Sequence, residues 1–191
     1  MHDLISNFIE FSAVAGINQK SFSACVQQTK YKEGFDPVFC DLYNFLSFLC
    51  SYINDCSVSK TDLTQKSISQ RLKLLIWNRL MFYPSFKNFR DFLKAEIYFS
   101  LKPTNMLFAS KQIWSISDCF WRAVGDSSAD FSFYTKRAIL SKLYSASLAR
   151  FISDFSCDFK DTEVFLDKKI QLILRFTKFK MRVKSLKDKI F

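Results

Sequence analysis

Residues Gly125 to Leu140 read GDSSADFSFYTKRAIL. A short acidic turn here separates two apolar helical stretches and leads at once into two aromatics and two cations. Glycine at position 125 tolerates the positive φ that ends a helix, and Asp130 has the residue type that caps the next one. Working outward, apolar spacing near the helical period predicts a helix over Met106 to Val124 before the turn and another from Asp130 to about Ser153 after it. Asp158 or Asp161 is expected to cap a last helix running towards the C-terminus.

The same period continues upstream. It predicts helices over Leu4 to Ala15, Ser21 to Lys30 with Ser21 as N-cap, and from near Pro37 to about Asn54. Further helices are predicted over Ile68 to Phe82 and Phe86 to Leu101, punctuated by Pro84 and Pro103. The polar segment Cys56 to Ser67, CSVSKTDLTQKS, is the expected internal joint. Only 3 Gly and 3 Pro occur in 191 residues, too few for the turns of an antiparallel β fold, so the fold class is all-α. With 49% apolar residues, 23 of them Phe, and a mean hydropathy of −0.01, the chain can bury a core but has no bilayer-spanning run. The N-terminal stretch MHDLISNFIEF has neither a basic n-region nor an arginine-rich presequence, so a cytoplasmic location is expected.

Charge narrows the partners. Residues 1 to 70 hold 5 Lys+Arg against 7 Asp+Glu, whereas residues 71 to 191 hold 23 against 11. An anion-binding surface therefore belongs to the second part. Leu172, Phe176, Phe179, Val183, Leu186 and Ile190 form an apolar stripe at steps of four and three, flanked by Arg175, Lys180, Arg182, Lys187 and Lys189. Like charges on both edges disfavour a self-paired coiled coil, and the pattern suits an anionic membrane surface. Phe179, Arg182, Val183, Lys184, Leu186, Lys187 and Ile190 are the residues expected to touch it.

Catalytic chemistry is largely missing. The one histidine, His2, leaves no Ser-His pair and no Glu-x-x-His iron ligands, and there is no glycine-rich phosphate loop. Cys25, Cys40, Cys50, Cys56, Cys119 and Cys157 are scattered without a C-x-x-C pair, so neither a metal nor a cofactor is expected. The carboxylates Asp154, Asp158, Asp161, Glu163 and Asp167 surround a helix start, where acidic residues are favoured electrostatically.

Trp121, Gly125, Asp126, Ser128, Asp130, Phe131, Phe133, Tyr134, Thr135, Lys136 and Arg137, followed by Asp161, Thr162, Phe165 and Leu166, resemble the motifs of the ubiquinone-biosynthesis accessory proteins of the Coq-nine family. Ser132 and Phe133 stand where members of that family often carry Asn-Trp, so the indole donor is absent here. The resemblance implies a helical bundle like that of the TetR regulators. Its three-helix, helix-turn-helix-like N-terminal lobe would span residues 1–57, its ligand-binding lobe 58–176, and its basic amphipathic end 177–191. It implies a non-catalytic protein that binds isoprenoid quinone intermediates and presents them to a partner hydroxylase, peripheral on the inner membrane face. Asp130, Phe133, Tyr134 and Arg137 would form the partner-binding patch, and Trp114, Phe120, Trp121 and Leu140 the lipid walls; a homodimer is left open. The competing reading is a TetR-like DNA-binding transcriptional regulator. Charge argues against it, since the presumed recognition segment FDPVFCDLYNF offers Asp36 and Asp41 but no cation to neutralise phosphate.

Overall fold

The computed structural model describes residues 2–28, 41–64, 67–129 and 131–171. Among these residues there are helices and no strand, as the sparse Gly and Pro predict. The α-helices are α1 (His2–Ala15), α2 (Gln19–Gln28), α3 (Leu42–Ser59), α4 (Ile68–Leu80), α5 (Phe89–Leu101), α6 (Met106–Ala123), α7 (Phe131–Ile152) and α8 (residues 160–171).

Helix α1 buries Leu4, Ile5, Phe8, Ile9 and Ser12, the one-sided spacing of an amphipathic helix, against α2 and α5. Phe8 is the hub: its ring lies 6.0 Å from Phe22, 4.8 Å from Phe45 and 6.1 Å from Phe92. Four helices thus share one aromatic core, and the N-terminal helices pack directly onto the rest of the chain. Further along, α3 packs on α4 and α6, and α6 on α7.

Several boundaries differ from the sequence reading for local reasons. Ser21 is not the cap of α2 but its third residue; Asn18 caps the helix, its Oδ1 accepting from the Ser21 N–H at 2.9 Å while Ser21 Oγ accepts from the Asn18 N–H at 3.1 Å. Helix α3 starts at Leu42 rather than near Pro37, because Asp41 is extended and its carboxylate accepts from the N–H groups of Tyr43 and Asn44. It runs on to Ser59, into the first residues of the expected joint, with Ser57 and Thr61 returning their hydroxyls to the carbonyls of Ile53 and Ser57. Between α4 and α5, Pro84 sits in a short 3-10 turn (Tyr83–Ser85) and Asn88 adopts a left-handed conformation at φ 57°. Helix α5 therefore starts at Phe89, three residues later than predicted.

Candidate functional site

The Gly125 turn closes α6 with a complete Schellman arrangement. Gly125 has φ 86°, its N–H donates to the Arg122 carbonyl at 2.9 Å, and the Asp126 N–H donates to the Trp121 carbonyl at 3.0 Å. This places Asp126 inward, its side chain only 5% exposed. It accepts from Lys136 Nζ at 2.6 Å, Ser128 Oγ at 2.7 Å and Arg137 Nη1 at 3.2 Å. Burial alone would raise the Asp126 carboxyl, but these donors and the Lys136 charge outweigh it and hold the group at about 2.

Arg137, expected on a partner-binding surface, is instead 1% exposed. Its Nε donates to Asp118 at 2.6 Å, its Nη1 to Asp126 and to the Phe133 carbonyl at 3.2 Å each, and its guanidinium lies 3.4 Å from the Phe133 ring centre. A planar fork between two carboxylates on neighbouring elements locks α6 to α7. Lys136 likewise turns back to Asp126 and stands 5.3 Å from the Trp121 ring centre. The indole N–H of Trp121 donates to the Lys136 carbonyl at 3.1 Å.

What remains outside this lock is an aromatic shelf. Trp114 lies 6.2 Å from Tyr134 and 6.5 Å from Phe133, and the last two are 5.1 Å apart. Tyr134 is 61% and Phe131 81% exposed, while Phe133 and Trp114 are half-buried. An open groove lined by Ser110, Lys111, Trp114, Ser115 and Asp118 borders the shelf. Asp130 lies outside the described residues.

A second feature is a cavity placed elsewhere than the lipid walls expected from Trp114, Phe120, Trp121 and Leu140. It has a volume of about 330 Å³ and opens between α3, α5, α6 and α7, walled by Leu46, Leu49, Ile53, Phe108, Ile113, Ile116 and Leu148. That size lies at the lower end of ligand pockets, which run from about 300 to 1,000 Å³. Trp114, Phe120, Trp121 and Leu140 do not line it; Phe120 and Leu140 are core residues and the two tryptophans face the shelf and the lock.

The inner wall of the cavity is polar. Arg79 is 2% exposed and donates to Tyr144 Oη at 3.0 Å, Asn54 Oδ1 at 2.7 Å and the Cys50 carbonyl at 3.2 Å. Burial opposes its charge, yet Tyr144, Cys50 and Tyr83 around it hold the guanidinium above its ordinary value. Burial also pushes up the carboxyl of Glu96 on the same wall, against the pull of Arg79. The signal legible in the sequence was an arginine on the apolar face of α4, beside Leu72, Leu75, Ile76 and Leu80.

After α7 the chain turns on Asp154, which is 1% exposed. Its carboxylate accepts from the N–H and hydroxyl of Ser156 at 2.9 and 2.6 Å and from those of Thr162 at 2.7 and 2.6 Å. Burial would raise this carboxyl too, but the four donors hold it at about 2. Asp154 and Ser156 therefore satisfy the start of α8, the role expected of Asp158 or Asp161. Asp158 instead takes a left-handed conformation, φ 52°, in a 3-10 turn, and Asp161 pairs with Arg150 at 2.5 Å. The stripe residues Phe179, Arg182, Val183, Lys184, Leu186, Lys187 and Ile190 lie outside the described residues. No described helix is long and apolar enough to cross a membrane.

Fold and site define an all-α protein with an apolar, polar-ended cavity and a separate exposed aromatic shelf. Residues 106–177, from the start of α6 onward, match the COQ9 family model. The ubiquinone biosynthesis protein COQ9, mitochondrial, of Rattus norvegicus is 35% identical over 85 residues, covering 44% of this chain and 27% of that protein. The protein of the same name from Homo sapiens is 32% identical over 83 residues, 44% of this chain and 26% of its own length. COQ9-B of Xenopus laevis is 28% identical over 133 residues, 62% of this chain and 44% of its own. The matches thus span under half the length of these relatives.

Proposed function

We propose that this chain is a non-catalytic, lipid-binding accessory protein of ubiquinone biosynthesis. It takes isoprenoid quinone intermediates from the membrane and presents them to a partner hydroxylase, working as a peripheral protein on the membrane face. The observation that carries the reading is the apolar cavity between α3, α5, α6 and α7, two of whose walls come from the segment that matches the COQ9 family. The apolar walls from several helices suit a branched hydrocarbon tail, with the polar wall of Arg79, Tyr144 and Glu96 confined to the inner end.

The shelf of Trp114, Phe133 and Tyr134 supports the docking half of the reading, because exposed aromatics held on a rigid lock are typical anchors of an interface. The regulator reading lacks such support: α3, the second element of a helix-turn-helix reading, holds no Lys or Arg between Leu42 and Ser59.

Tyr134→Ala is expected to weaken capture of the hydroxylase by roughly tenfold or more, the loss typical of an aromatic anchor. The melting temperature should move by no more than about 2 °C, since the side chain is largely exposed. Titration of the two purified proteins decides it, and unchanged affinity would remove the shelf from the docking site.

A further inference from the structure

The outer rim of the cavity is the turn that joins α5 to α6. Leu101, which lines the cavity, is 66% exposed on its other side. Tyr98, one helical turn before it, is 72% exposed, and Met106 and Leu107, just after the turn, are 57% and 68% exposed. Four large apolar side chains thus face water within ten residues of chain, and one of them, Leu101, also lines the apolar cavity. An exposed apolar patch that also borders a ligand cavity marks an interaction surface more often than an accident of packing.

The turn itself is rigidly held. Asn105 is 3% exposed, and its Nδ2 donates to the Phe99 carbonyl at 2.9 Å. Its Oδ1 accepts from Tyr43 Oη at 2.9 Å, and its N–H donates to the Lys102 carbonyl at 2.8 Å. These bonds fix a ledge from which Leu101, Met106 and Leu107 project.

Charge selects the occupant. From residue 97 to residue 117 there is no Asp or Glu, whereas Lys102 and Lys111 are both exposed. Behind them Lys94 is also exposed, paired with Asp91 at 2.9 Å. Apolar tips with lysines set beside them match the interface of a bilayer: the tips enter the acyl boundary and the ammonium groups reach anionic headgroups.

We propose that the α5–α6 ledge inserts into the surface of an anionic bilayer, so that the cavity mouth opens directly onto the acyl region. A lipid tail could then pass between bilayer and cavity without crossing water. The proposal deepens the lipid-carrier reading by assigning its entrance, and it is separate from the stripe expected beyond residue 177.

The test is flotation of the 191-residue chain with phosphatidylcholine vesicles, with and without phosphatidylglycerol. L101D/L107D is expected to lower the floated fraction by roughly tenfold on the anionic vesicles, and K102E/K111E to erase most of the preference for phosphatidylglycerol. A direct reading comes from L107W, whose added fluorescence should be quenched by brominated acyl chains. Wild-type flotation of L101D/L107D, or an added L107W fluorescence indifferent to bromination, overturns the proposal. A chain that floats through the ledge yet never carries an isoprenoid supports the ledge and counts against the carrier reading alone.

Discussion

Replacing Arg137 with methionine is expected to destabilise the fold by about 3–5 kcal/mol, the usual cost of leaving a buried charge without its partner. For a chain of this size that lowers the melting temperature by roughly 6–20 °C. The side chain is 1% exposed and serves Asp118, Asp126 and the Phe133 carbonyl at once. Methionine fills much of the volume but leaves Asp126, 5% exposed, with Lys136 and Ser128 alone. Arg137→Lys should fall between, since an ammonium keeps the charge but cannot fork to two carboxylates. Because Phe133 stacks on the guanidinium, the shelf should loosen as well, and hydroxylase capture should weaken in the methionine variant even below its melting point. Thermal unfolding by circular dichroism checks the first effect; a methionine variant as stable as the wild type would show that the lock is not holding α6 to α7.

Asp154→Ala is expected to be nearly as damaging, at about 3–4 kcal/mol. The alanine strands the N–H and hydroxyl of Thr162, which is fully buried, together with the donors of Ser156. Each buried donor left without an acceptor costs about 1–3 kcal/mol, and bonds to an ionised acceptor are the stronger kind. The damage should concentrate in α8, whose first turn loses its cap, and amide exchange in residues 160–171 should rise well before the rest of the fold opens. Uniform protection in Asp154→Ala would contradict this assignment.

Asp154 and Asp126 also set the response to acid. Both carboxyls are held at about 2 in the folded chain against an ordinary value of 3.8. A depressed folded value means that the stabilisation is present in full above the unfolded value and disappears as pH falls through the folded one. Wild-type stability should therefore decline between about pH 4 and pH 2.

The legible parts of this structure were those that depend on neighbours in sequence. Gly125 ends α6 with the positive φ that its type permits, and the paucity of Gly and Pro fixed the all-α class. Arg137 was misplaced because the resemblance set it in a partner-binding patch beside Tyr134. Its burial depends on Asp118, nineteen residues earlier, which reaches it only once α6 and α7 are packed. The run of carboxylates after α7 correctly marked a helix start, but which member points inward follows from the left-handed backbone at Asp158 and Phe159. The cavity was the least legible of all, since five helices, α3 to α7, contribute its walls and no contiguous segment carries its pattern. A lone arginine on the apolar stripe of α4 was its only trace, and such a residue announces a polar site only when its surroundings are known.

Carriage of an isoprenoid in that cavity is the central claim, and native mass spectrometry of the 191-residue chain with extraction of its bound lipid tests it most directly. The wild type should carry an isoprenoid quinone precursor. Ala109→Trp, which builds an indole into the cavity from its α6 wall, should lose it while remaining folded. A wild type that is reproducibly empty, or an Ala109→Trp chain that keeps the same cargo, would contradict the account.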